Sequence, residues 1–242
     1  MTERYITPEK LLAARFEEPW KIPRWDAAIL CFRDKTGSDA LVETLPAVPV
    51  GRKIFWGIEE ADDLPVVYAA EINGKVVGIV TRCIWGGHQA SILIEELAAM
   101  GVGVVVGYGA AGSLDPAIGQ GRQLVVTSAI ATDGTSSYYG SGPFSADSGL
   151  LRFVPTATPV VAATTDAVYR ETPGVVAEWK ALGASVVNME SAPFYAASAA
   201  CGMRAIWLGM VTDVISEVWQ DWFVDQSEAK AISNCLDVIR GI

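Results

Sequence analysis

The chain has one histidine, four cysteines and a shortage of base, with 18 Lys and Arg against 28 Asp and Glu in 242 residues and a formal net charge of −10. Each shortage excludes a class of function. With His88 alone, a histidine-rich metal site is not expected. Cys31, Cys83, Cys201 and Cys235 are widely spaced and form no Cys-x-x-Cys pair, so neither zinc nor a disulfide framework is indicated and they read as reduced packing residues. Lys and Arg are nowhere clustered, which argues against a nucleic-acid surface, because phosphate backbones are held by basic patches. No apolar run is long enough to cross a bilayer, and Glu3, Arg4, Glu9 and Lys10 stand where a signal peptide would need an apolar core. The expectation is a cytosolic protein acting on a small molecule.

What the chain has is apolar content, 51% of residues against 19% charged, enough to bury a large core in a single α/β domain over residues 1–242. Apolar runs bounded by turn residues predict strands over 27–32, 66–72, 76–82, 102–108, 123–129, 159–163, 184–189 and 205–212. Asn73-Gly74 signals a tight hairpin, since a two-residue turn needs positive φ. Leu93, Leu97 and Met100 recur at helical spacing within 89–100, and Ile232, Cys235, Leu236 and Ile239 do so within 221–240. Strands alternating with helices predict a central mixed, mostly parallel sheet flanked by helices on both faces. Residues 133–148, rich in Gly and Ser and carrying Tyr138 and Tyr139, read as a loop.

Two carboxylates stand out. Glu190, in Asn188-Met189-Glu190-Ser191-Ala192, and Asp213, in Val211-Thr212-Asp213, each end an apolar strand-like run, with an Ala-rich stretch between them. Strand ends are where α/β enzymes keep their chemistry. If those strands are parallel neighbours, both carboxyls face one crevice. Taken singly, either residue also reads as a helix cap or a surface charge, His88 as a capping or packing residue, and the tryptophans, including Trp207, Trp219 and Trp222, as core or subunit contacts. Gly107-Tyr108-Gly109-Ala110-Ala111-Gly112 fits the spacing of a dinucleotide loop. Ser113-Leu114-Asp115-Pro116 would stop the helix that such a loop must open, and no acidic residue follows at the ribose-binding distance. A turn whose glycines let backbone N–H groups approach a small anion or sugar is the preferred reading.

Several segments in register carry a resemblance: Gly86-Gly87 with Ser91 and Glu95-Glu96-Leu97; Gly109 to Gly112; Ile118-Gly119-Gln120-Gly121; Asp133-Gly134; Glu178 to Gly183; Met189 to Ala192; and Thr212-Asp213. Over residues 27–215 the chain resembles the nucleoside phosphorylase and nucleosidase family, which includes uridine phosphorylase, bacterial purine nucleoside phosphorylase and methylthioadenosine nucleosidase. The resemblance implies the family's three-layer α/β sandwich and cleavage of a nucleoside's N-glycosidic bond without a cofactor. It assigns Glu190 to the ribose hydroxyls, and Asp213 to protonation of the leaving base, which favours a purine. A carboxyl of ordinary acidity has lost its proton at neutral pH, so an acid here needs burial or a neighbouring carboxylate. Met189, Asn188, Gly109, Ala110 and Gly112 match substrate-contacting positions. Val168 stands where relatives carry a base-packing phenylalanine, Tyr169 is the alternative stacking residue, and Arg170 and Glu171 are candidate polar contacts.

The co-substrate is where the chain departs from the family. Gly107 and Ala110 occupy the positions of the family's phosphate-gripping arginine and hydroxyl residue, and Cys31-Phe32-Arg33 replaces its Gly-Asp-Pro turn. The arginine that relatives lend across subunits is not evident around Leu64. Two readings follow. Either water replaces phosphate, which the missing side chains favour, with Asp34 near in sequence as a base, or Arg33, Arg82 and backbone amides rebuild an anion site for phosphorolysis. An inactive nucleoside-binding or assembly subunit is the competing class. The resemblance also implies a homo-oligomer, dimer to hexamer.

Overall fold

The computed structural model describes residues 4–51, 53–58, 66–83, 85–216 and 227–242. Ten strands and seven α-helices alternate along the described chain. The strands are β1 (Ala27–Cys31), β2 (Val48–Pro49), β3 (Val67–Ile72), β4 (Lys75–Val80), β5 (Val104–Ser113), β6 (Gln123–Ala131), β7 (Phe144–Ser145), β8 (Thr158–Thr164), β9 (Val186–Asn188) and β10 (Arg204–Val214). The helices are α1 (Pro8–Arg15), α2 (Lys35–Glu43), α3 (Gly87–Ala99), α4 (Ser148–Leu151), α5 (Pro173–Ala181), α6 (Ser191–Ala200) and α7 (Ser227–Gly241). Residues 221–226, the start of the second predicted helix, lie outside the described residues, as do Leu64, Trp219 and Trp222.

All the strands belong to one sheet, and part of it closes on itself. β5 pairs with β10, β10 with β6, β6 with β8, β8 with β9, and β9 returns to β5. From the first half of β5 the sheet continues as an open wing through β1, β4, β3 and β2. The sheet is more evenly mixed than the expected mostly parallel one: β9 runs antiparallel to β5, and β6 antiparallel to β10. Asn73 and Gly74, at φ of 53° and 74°, make the tight turn between β3 and β4 that the sequence signalled.

Side-chain alternation along the strands makes two cores. In β1, Ala28 and Leu30 face a cluster with Leu93 and Leu97 of α3 and Phe194 and Ala197 of α6. Ala27, Ile29 and Cys31 face the opposite cluster, with Leu41 of α2 and Ile232, Cys235 and Ile239 of α7. The helical spacing of those α7 residues is therefore an inward stripe. Helices cover both faces, as predicted, and a smaller cluster with Trp179 seats α5 against Val187 and Leu114.

β5 corrects the reading of the glycine-rich stretch. It does not turn at Gly107 but runs on as a strand to Ser113, paired with β10 from Val104↔Arg204 to Ser113↔Val214. The glycines make room for an indole. A Cβ at Gly107 would stand 2.6 Å from Trp207 Cδ1, and one at Gly109 would stand 2.6 Å from Trp207 Cζ2. Gly209 is equally constrained, with its would-be Cβ 2.5 Å from the Gly109 carbonyl and 2.8 Å from Trp207 Cη2. The G-x-G spacing thus follows the side-chain period of a strand, with both glycines facing one fully buried tryptophan.

Candidate active site

Glu190 stands at the junction of β9 and α6, 4% exposed. Its Oε1 accepts a 3.0 Å hydrogen bond from the Gly86 amide. Gly86 has φ 116°, a conformation that favours glycine, and a Cβ on Gly87 would lie 2.6 Å from Pro193 Cγ. The Gly-Gly pair therefore brings the start of α3 against α6 and aims an amide at the carboxylate. Burial pushes the Glu190 carboxyl up to about 7, against the Gly86 and Met189 amides that favour its charge.

The junction itself is fixed by Asn188. Its Oδ1 accepts from the Ser191 amide at 3.2 Å, the Ser191 hydroxyl at 2.9 Å and the Thr164 hydroxyl at 3.3 Å. The Ser191 amide can only donate, so it sets the orientation of the Asn188 side-chain amide. Asn188 Nδ2, buried, has no hydrogen-bond partner among the described residues. Such a donor is costly to leave unmade and is available to a ligand.

Beside Glu190 lies a cleft of about 460 Å³ lined by Arg33, Asp34, Lys35, Arg82, Cys83, Trp85 and Met189. Its side chains come from the start of α2, from the segment after β4, and from the β9–α6 junction. Asp34 caps α2, its Oδ1 accepting from the Gly37 amide at 3.0 Å, and Lys35 pairs with half-buried Asp39. Trp85 is fixed by its indole N–H, which donates to the Phe32 carbonyl at 3.1 Å. Arg82 has φ 51°, uncommon for a long side chain, and its amide donates to Ser38 Oγ at 3.0 Å. Arg33 is 2% exposed, and its Nε and Nη2 each donate to Glu228 of α7 at 3.1 Å. Glu228 Oε1 also accepts from the Tyr108 hydroxyl. The Arg33 charge is therefore matched by a buried carboxylate while the residue lines the cleft. Gly37 leaves the space for this pair, since a Cβ there would lie 2.5 Å from Glu228 Oε1.

Asp213 sits half-buried near the end of β10, just past a shift of register between Val211 and Asp213. Its Oδ1 accepts from the Thr212 hydroxyl at 2.9 Å, and the Gln120 amide holds the Thr212 carbonyl at 3.1 Å. β9 and β10 are not parallel neighbours. They flank β5 on opposite sides and run in opposite directions, with Val187 and Asp213 both opposite Gly112. The two carboxyl-bearing segments are thus brought together by ring closure. Gly112 is the narrow point between them, its would-be Cβ 3.1 Å from Ile215 Cδ1 and 3.3 Å from Val187 Cγ1.

The segment after β8 carries the remaining candidates. Val168 and Tyr169 are exposed, Tyr169 at 97%, so the structure turns the candidate stacking tyrosine outward. Glu171 is half-buried and lies within the field of Asp213, and burial together with that charge pushes its carboxyl up to about 7. Ala110 is half-buried on β5, paired with Met210, and His88 is exposed near the start of α3. Residue-by-residue reading named Trp207 only as a core or subunit contact and did not foresee that it fills the space beside Gly107, and it missed Glu228, which holds Arg33. No local pattern announces any of them. Among the described residues, no group of three His, Cys, Asp or Glu is placed to hold a metal, and no helix is long and apolar enough to cross a membrane.

A family model described as the phosphorylase superfamily matches residues 39–242. The chain is 29% identical over 202 residues to a uridine phosphorylase of Salmonella typhimurium, covering 72% of this chain and 78% of that protein. The same identity holds over 202 residues with the uridine phosphorylase of Escherichia coli. It holds over 243 residues with that of Klebsiella aerogenes, covering 85% and 94% of the two chains.

Proposed function

The chain belongs to the phosphorylase superfamily, and on that premise we propose that it cleaves the N-glycosidic bond of a purine nucleoside by phosphorolysis. Glu190 holds the ribose, the Asp213 end of the pocket receives the base, and inorganic phosphate enters the cleft beside Met189. The observation that carries the proposal is the meeting of a buried, amide-fixed glutamate with a cleft that bears Arg33, Lys35 and Arg82.

The chemistry follows from where charge develops. As the C1′–N bond breaks, its electron pair leaves with the base and the sugar becomes cationic. A carboxylate accepting hydrogen bonds from the ribose hydroxyls stabilises that cation. A phosphate oxygen then forms the new bond to C1′, giving ribose 1-phosphate, while the base takes a proton. The family's usual arginine position is closed here, because Trp207 occupies the space beside Gly107. Arg82 and Lys35, which line the cleft, supply the charge that an anion needs.

Hydrolysis is the second reading and has its own observation: Asp34 lines the same cleft, where a carboxylate would serve as base for a water. The names of the relatives speak for phosphorolysis and for uridine, whereas Asp213 speaks for a purine, whose ring nitrogen takes a proton on leaving. The test is incubation with inosine, adenosine and uridine, with and without phosphate, followed by chromatography of the free base and assay of ribose 1-phosphate. Purine release that requires phosphate is the expected result. Release without phosphate gives the hydrolase, release from uridine alone overturns the choice of base, and no release from any nucleoside leaves a binding subunit. A homo-oligomer belongs to the same proposal, and sedimentation would report a single monomer if it is wrong.

A further inference from the structure

We propose that Trp85 is a sugar-recognition residue of this pocket, its indole packing on the C4′–C5′ edge of the ribose whose hydroxyls Glu190 holds. This rests on the reading of the pocket as a nucleoside-cleaving centre and adds a specificity-determining residue to it.

Trp25, Trp179 and Trp207 are buried in the cores, whereas Trp85 is 51% exposed and lines the cleft that carries Met189. Trp20 and Trp56 are exposed as well, but neither lines that cleft. The ring of Trp85 is held in place. Its N–H donates to the Phe32 carbonyl at 3.1 Å, and the Phe32 amide donates in turn to the Tyr108 carbonyl of β5 at 2.7 Å. The indole therefore ties the segment after β4 to the segment after β1, the two that give the cleft Arg82 and Cys83 and Arg33 to Lys35. A ring fixed in this way offers its surface to a ligand with little side-chain freedom left to lose.

The chain itself sets the distance to the carboxylate. The Gly86 amide that donates to Glu190 Oε1 at 3.0 Å follows Trp85 directly, and Trp85 Cα is two covalent bonds from that nitrogen, so Trp85 Cα and the carboxylate oxygen stand about 5.5 Å apart at most. Met189, the residue before Glu190, lines the same cleft. One carboxylate is thus flanked by an indole and a thioether. That set suits a sugar, whose hydroxyls need an acceptor and whose C–H edge needs an apolar surface.

Topology picks the edge. β10, β5, β1 and β4 pair in that order and all run parallel, so the segments that leave their C-terminal ends share one edge of the sheet. Asp213 lies near the end of β10 and Trp85 follows β4, three strand spacings or about 14 Å along that edge. A nucleoside with its base toward Asp213 and its hydroxyls on Glu190 turns the far end of its sugar, C4′ and the 5′ group, toward Trp85.

The probes are inosine and its erythrofuranosyl analogue, the same nucleoside without the 5′ carbon and its hydroxyl; if uridine is the nucleoside cleaved, the corresponding uridine pair replaces them. In the unaltered protein the truncated nucleoside should show a KM raised about tenfold or more. Trp85→Ala should raise the KM for inosine by about 10- to 100-fold and leave kcat within about threefold, because the contact is made alike in the ground and transition states. Trp85→Phe should regain most of that loss. On the truncated nucleoside Trp85→Ala should change KM by less than about threefold, since the group that the indole touches is already gone. The KM for phosphate should stay within about threefold in each variant. A truncated nucleoside that binds as well as inosine, an equal loss on both nucleosides in Trp85→Ala, or a KM for phosphate that rises with that for inosine overturns the role of Trp85 and leaves the nucleoside-cleaving reading intact. Failure of the unaltered protein to release base from inosine, adenosine or uridine overturns both readings together. If Trp85→Ala does not fold, Trp85→Leu, which keeps apolar bulk without the ring, and the preference of the unaltered protein between the two nucleosides still decide.

Discussion

At the scale of single residues, the same residue type does unlike work depending on what it faces. Gly86 is required by its φ of 116°, whereas Gly107 is required by the indole that lies 2.6 Å from its missing Cβ. Gly107→Ala should therefore cost about 1–3 kcal/mol, as overpacking does. Pairing it with Trp207→Leu should recover part of that loss, which a double-mutant cycle of urea unfolding would reveal as non-additivity. The expected outcome for Gly107→Arg is no gain in phosphate affinity until Trp207 is shortened, measured as the KM for phosphate. Glu190→Gln keeps the shape of a 4% exposed side chain and removes its charge. Turnover of nucleoside should fall by about 10² to 10³, with the far-ultraviolet circular dichroism unchanged.

At the scale of elements, helices are attached through buried charged contacts as well as through apolar stripes. α7 is fixed to the start of α2 by Glu228, which receives Arg33 twice at 3.1 Å and the Tyr108 hydroxyl as well. Glu228→Ala leaves a guanidinium buried without its carboxylate and should cost about 3–5 kcal/mol, read as a lower urea midpoint. α3 carries a different device. Glu96, 2% exposed, accepts from the Trp56 amide with both oxygens, at 3.0 and 3.1 Å, and burial pushes its carboxyl up to about 7. A carboxyl raised on folding contributes stability that is complete below its unfolded value and is lost as pH rises through the folded one. Glu96→Gln should thus raise the melting temperature at pH 8, by about 2–4 °C per kcal/mol for a chain of this size, and the gain should vanish toward pH 5.

At the scale of the whole molecule, ring closure is the decisive feature, because it sets the β9–α6 junction and the end of β10 on either side of one strand. The pH dependence of turnover should report the ribose end of the pocket. Glu190 must be ionised to hold the ribose, so the rate falls as pH drops through about 7. An acidic limb near neutrality is expected for inosine, measured as kcat against pH.

The amino-acid order by itself located eight of the ten strands and two of the seven helices of the described chain, the hairpin at Asn73-Gly74, and the two segments that bear Glu190 and Asp213. Those features are local, since apolar period and turn conformation act over neighbouring residues. The order did not reveal that the Gly107 to Gly112 stretch is a strand, because glycine is compatible with a turn and with a strand that faces an indole, and only Trp207 of β10 decides between them. Nor did it join Arg33 to Glu228, 195 positions away. Such partners are chosen when the sheet closes, because the energy of a buried charge depends on which group stands opposite it in space, and no run of neighbouring residues carries that information.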